Sequence, residues 1–212
     1  MSPPSPTASW TTLLAAALAH DINNLVHGLA TGAATLVQGD LELLRTLAGR
    51  LRALATAGGP DASASLDHAC ADALAEVDPA GSRVRAEPIP TGLRVAGTAG
   101  AVTTALTCLL QHVLAATPST AQIRLAVRSS PGGGPVIAEI AAPESPWLGP
   151  FSEARLDALL ATTMRDQRGD LLLVLAGALA DAVGGAVHVA SDSQRGLVFA
   201  VHLVPTSAPP GL

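Results

Sequence analysis

A chain of 212 residues, 49% of them hydrophobic, is long enough to bury a sizeable core. Its net charge is −5, and its 12 basic residues are all arginines, so no basic field gathers phosphates and nucleic acid is excluded as a partner. The opening MSPPSPTASW lacks a charged leader region, and His20 and Asp21 interrupt the apolar run behind it too early for a membrane span. No membrane partner and a cytoplasmic location are the expectation.

Residues 1–8, rich in Pro and Ser, are read as a disordered N-terminus. Helical periodicity starts after Ser9, a good N-cap, and Leu14, Leu18, Ile22, Leu25, Leu29, Gly32 and Leu36 follow at alternating spacings of four and three. Gln38-Gly39-Asp40 marks a turn. Leu44, Leu47, Leu51 and Leu54 then repeat the pattern until Gly58-Gly59-Pro60 stops it. Residues 9–59 therefore read as an antiparallel helical hairpin. Two helices cannot surround their own seam, and pairing with a second copy in a dimeric four-helix bundle buries it, so a homodimer is expected.

From residue 60 to 205 the periods alternate. A helix is expected at 64–77, short strands at 83–87 and 93–96, and a helix at 99–116. Strands at 122–128 and 136–141 flank a Gly-rich hairpin tip. Helices near 152–164 and 171–183, the Gly184-Gly185 turn and closing strands at 186–190 and 197–204 complete the set, with 206–212 a disordered tail. This pattern fits an α/β sandwich, a mixed sheet covered on one face, and the whole chain reads as α+β. Cys70 and Cys108 sit alone in helical patterns at no metal-ligand spacing, as small core thiols of a reduced compartment.

Chemistry concentrates in ALAHDINNLVHGLATG, residues 17–32. With Leu18 and Leu25 at d and Ile22 and Leu29 at a, His20 and His27 fall at f, pointing away from the seam. Asp21 adjoins His20, and Asn24 lies one turn along. An exposed imidazole is a nucleophile near neutral pH, and a neighbouring carboxylate orients the ring and shares its proton. The group is able to accept a phosphoryl group.

LAHDINNLVHGL resembles the phospho-accepting H-box of bacterial sensor histidine kinases, which lies on the first helix of a dimeric bundle. That resemblance implies that His20 carries the phosphoryl group, that Asp21 is its acid/base, and that Asn24 positions water. It extends through residues 64–205, which follow the element order of the kinase ATP-binding domain and end in DAVGGAVHVASDSQRGLVFAVHLVP.

Three departures qualify the resemblance. His112 stands where such kinases carry a Mg²⁺-holding Asn. Ala141-Ala142-Pro143-Glu144-Ser145-Pro146 replaces the Asp-x-Gly-x-Gly adenine loop, and Asp170 and Leu172 occupy the phosphate-loop glycines. ATP binding and autokinase activity are thus expected to be absent, with no cofactor of the chain's own.

The resemblance then points to a kinase-derived histidine phosphotransferase of a phosphorelay. Such a protein takes the group from the aspartyl phosphate of one response-regulator receiver domain, with Mg²⁺ on the receiver, and passes it to another. Ala16, Asn24, His27, Gly28 and Thr31 would form the receiver-docking flank. The competing reading is a pseudo-kinase adaptor that binds kinases or regulators without carrying phosphate. His68, His112, His188 and His202 read as ordinary core or surface histidines, with no metal site among them.

Overall fold

A computed structural model describes residues 48–58, 62–130, 132–142, 168–192 and 195–206. Residues 48–55 are helical (α1). Then follow β1 (Ser63–Ser65), α2 (Leu66–Val77), β2 (Val84–Ala86), β3 (Arg94–Ala96), α3 (Ala99–Ala116), β4 (Ile123–Ser129), β5 (Val136–Ala142), α4 (Arg168–Ala182), β6 (Ala186–Asp192) and β7 (Gly196–Leu203).

The main sheet has the order β2-β4-β5-β7-β6, with β2 parallel to β4 and every other pair antiparallel. A small antiparallel pair, β1 with β3, stands beside it, and Val95 of β3 bridges to Pro205 at the chain's return. Alternation sorts the main strands into two faces. Ile123, Leu125, Ala138, Ile140, Phe199, Val201 and Leu203 enter the core, while Arg124, Arg128, Glu139, His188 and His202 stand on the other face.

Helix α3 lies between α2 and α4. Its sequence contains no charged residue, and Leu106, Leu109 and Leu110 are at most 1% exposed. Among the described helices it alone is long and apolar enough to cross a membrane, yet half of that stretch is buried inside this fold. Thr98 caps its start, the hydroxyl accepting from the Ala101 amide. Lacking a basic residue in its last turn, α3 is closed by Arg83, whose guanidinium donates to the carbonyls of Leu114, Thr117 and Pro118. That cation complements the negative end of the helix dipole.

Helix α4 ends in a Schellman turn: the Gly185 amide donates to the Ala180 carbonyl (2.8 Å) and the Gly184 amide to that of Asp181 (2.9 Å). Gly184 has φ 75°, and a Cβ on Gly185 would stand 2.3 Å from the His202 carbonyl oxygen, so both turn positions call for glycine.

The expected helix at 99–116 is reproduced to the residue, and the described helices α2, α3 and α4 pack together as one layer. Differences are local. Residues 63–65 form a strand where a helix was expected from 64, because Ala64 pairs with Val95 and is 1% exposed. Residues Arg168–Asp170, ahead of the expected start at 171, are already helical in α4. The expected helix at 152–164, residues 1–8 and 207–212, and most of the hairpin lie outside the described residues.

Candidate functional site

His20, Asp21 and Asn24, with the docking positions Ala16, His27, Gly28 and Thr31, also lie outside the described residues. What the structure does place is α1, in the stretch expected to close the hairpin, and the domain that follows it. Arg50, 9% exposed, donates from α1 to the Gln111 side chain of α3. Ala57, just past α1, is fully buried, and its carbonyl accepts from the Thr98 amide. Residues 50–57 are thus joined to the start and middle of α3 by one part-buried side-chain bond and one backbone bond.

Gly97 completes that joint. Its φ is 104°, and an added Cβ would stand 2.3 Å from Cγ1 of Val183, behind the end of α4. A side chain there would pry the segment at Ala57 and the end of α4 apart.

The positions aligned with nucleotide recognition fall on α3, β5 and α4. His112 is 9% exposed and meets Phe199 of β7 edge to face, ring centroids 5.6 Å apart. Where the resemblance puts a metal-holding amide, an imidazole packs against an aromatic ring of the core. One turn earlier, Cys108 is fully buried, and burial pushes its thiol up to about 11 against the charge of Arg50. The Cys70 thiol is likewise pushed up, to about 12, by burial. Both cysteines are core residues, as their isolated spacing implied, and thiols held this far above neutrality are poor nucleophiles. Ala141 and Ala142 end β5 inside the protein, at 6% and 1% exposure. Asp170 and Leu172 stand in the first turns of α4, Leu172 partly buried against the core.

One arrangement was invisible in the sequence. His188 and His202, read as unrelated, come together on the outer sheet face with ring centroids 4.3 Å apart. Only the β6–β7 register, which pairs Ala186 with His202 and His188 with Ala200, makes them diagonal neighbours. On the same face Glu139 accepts from Arg128 (3.3 Å) and Arg195 (3.1 Å). Among the described residues no three His, Cys, Asp or Glu side chains gather as a metal cluster.

No family model and no curated protein matches the sequence. Solved structures do match the fold. The Mycobacterial sensor histidine kinase MprB aligns with TM-score 0.54 and 15% identity over 68% of this chain and 96% of its own. Acinetobacter baumannii histidine kinase AdeS aligns with TM-score 0.55 and 14% identity over 93% of this chain and 96% of its own. The ATP binding domain of PrrB from Mycobacterium tuberculosis aligns with TM-score 0.51 and 20% identity over 70% of this chain and all of its own. The domain has the fold of histidine-kinase ATP-binding domains, and at these identities the likeness is one of fold.

Proposed function

We propose that this chain is a histidine-containing phosphotransfer protein of a two-component phosphorelay, working in the cytoplasm as a homodimer through residues 9–59. The observation that carries the reading is a combination. HDINN, with His20 read at an outward heptad position, precedes a kinase-type fold in which the resemblance aligns His112, Ala141–Pro146, Asp170 and Leu172 with the nucleotide-binding positions.

In this reading an unprotonated imidazole nitrogen of His20 attacks the phosphorus of a receiver's aspartyl phosphate. The N–P bond forms, the P–O bond to the aspartate breaks, and the freed carboxylate leaves with its electron pair. Asp21 holds the ring's other N–H and stabilises the charge that develops on it. Asn24 orients water for hydrolysis. The receiver supplies Mg²⁺ and the flank of Ala16, His27, Gly28 and Thr31 holds it in line, so the reaction is chiefly one of positioning. The second domain braces the bundle and binds no ATP.

The test is transfer from a phosphorylated receiver to the full chain, followed as acid-labile label. Label is expected on wild type and His27→Ala and lost in His20→Ala. Label that survives His20→Ala moves the acceptor elsewhere. No label with any receiver of the source organism favours the adaptor reading, in which the same surfaces bind without chemistry. Micromolar binding in an ATP titration would overturn the assignment of a nucleotide-free domain.

A further inference from the structure

We propose that His188 and His202 form a two-imidazole site for a divalent late-transition ion, copper(II), nickel(II) or zinc(II), on the outer face of the sheet. It is independent of the phosphotransfer reading and lies on the sheet face opposite the core that β4, β5 and β7 share with α3 and α4.

The geometry carries it. Two imidazoles bound to one ion through nitrogens ~2.0–2.1 Å away, at roughly 90–110°, hold their ring centroids about 4.5–5.3 Å apart. The observed centroids are 4.3 Å apart with ring planes 45° from parallel, just under that range, and in the proposed site rotation about the side-chain bonds brings both rings onto one ion. The 45° tilt also sets the pair apart from a flat stack. Both backbones are fixed in advance, because β6 and β7 pair without a break from Ala186–His202 to Asp192–Gly196. Little conformational freedom remains for an ion to freeze.

Access and charge agree with the geometry. His188 is exposed and His202 half-buried, so an ion reaches the pair from solvent. Burial, and then the neighbouring His188, hold the His202 imidazole below the ordinary histidine value against the pull of Glu139. A neutral ring is what metal ligation requires. Glu139 lies diagonal to His202, since it pairs with Ala200 while His202 pairs with Ile137, but its Oε2 already accepts from both Arg128 and Arg195. It therefore lends negative charge nearby, and water fills the remaining coordination positions. Imidazole donors without a carboxylate ligand favour copper, nickel and zinc over magnesium or calcium. A bound ion would strap the edge strand β6 to β7.

The experiment uses the full chain with nickel(II) in calorimetry and copper(II) in electron paramagnetic resonance. One site is expected, with superhyperfine structure from two imidazole nitrogens and affinity falling from copper to nickel to cobalt. His188→Gln and His202→Gln should each weaken nickel binding by more than about tenfold, the loss typical of even a supporting partner. Each should also reduce the copper spectrum to at most one of these nitrogens, while His68→Ala leaves both readouts unchanged. Metal-free thermal melts of the variants show that the fold persists. Unchanged nickel binding in both Gln variants, equal loss in His68→Ala, or no nickel binding below millimolar concentration overturns the site.

Discussion

Residues 17–32 and helix α3 draw on the same Ala-, Leu- and Val-rich vocabulary and use their polar positions in opposite ways. In α3 three polar groups are drawn into the packing: Gln111 accepts from Arg50, His112 lies against Phe199, and Thr107 is 2% exposed. In residues 17–32, which lie outside the described residues, the sequence read as a helix keeps the seam apolar and gathers His20, Asp21, Asn24 and His27 along one flank. An apolar helix that hides its polar groups supports a fold, whereas one that collects them at outward heptad positions has a use for them. On that difference the phosphotransfer reading places the chemistry in the hairpin and the bracing in the domain.

The sharpest way to break the contrast is at His20. His20→Ala should lower label uptake from a phosphorylated receiver at least ~100-fold, to background, with the thermal midpoint within about 2 °C of wild type, as for an exposed surface substitution. Asp21→Asn should slow uptake roughly 10²-fold or more, the range for a lost proton-sharing partner. A large fall in thermal stability of His20→Ala would instead put that ring in the interior and make the two helices alike.

The mirror-image change belongs in α3. Leu109 is fully buried between sheet and helices, and Leu109→Ala should cost about 2–5 kcal/mol through lost transfer energy and the cavity left behind. Chemical denaturation measures it. Label uptake by the fraction still folded should be unchanged, because the domain braces the bundle without touching the phosphoryl group.

Patterns longer than one period were legible before the structure. Helix α3 was readable to the residue, since Val102, Leu106, Leu109, Leu110 and Val113 mark one face over its whole length. Short or edge features were not. Strand β1 spans three residues, too few for an alternation to register, and only its pairing with β3 defines it. The contacts of Arg83 with Thr117 and of Arg50 with Gln111 join residues far apart in sequence, and the His188–His202 pair depends on strand register, which composition does not encode. Loss of the nucleotide-loop glycines could be read by counting back from Gly184-Gly185. That His112 is absorbed by packing on Phe199 could not.

A smaller effect separates a local fastener from the core. Asp78 closes α2 and accepts from the amides of Ser82 (3.1 Å), Arg83 (2.8 Å) and Val84 (2.7 Å). Those amides, Val84 first and Arg83 next, hold its carboxyl below the usual aspartate value. A carboxyl depressed in the folded state contributes stability that is fully present above its unfolded value of 3.8 and is lost as pH falls through the lower folded value. Because the group is still partly open to solvent, which screens much of this, Asp78→Ala should cost about 1 kcal/mol at pH 7. Below pH 4 the difference between variant and wild type should shrink. A difference that is constant from pH 7 down to pH 3 would show that shape, not charge, holds the turn.

The smallest change runs in the opposite direction and tests whether α3 has a polar task of its own. The Thr107 hydroxyl is buried with no hydrogen-bond partner among the described residues, a loss of hydration that nothing there repays. Valine keeps the β-branched shape and replaces the hydroxyl with a methyl group. If α3 only braces the fold, Thr107→Val should raise stability by about 1 kcal/mol and leave phosphoryl uptake unchanged. If the variant instead loses receiver-dependent labelling while its melting temperature rises, that hydroxyl serves function at the expense of stability, and the domain is no longer merely the brace that the contrast with residues 17–32 requires.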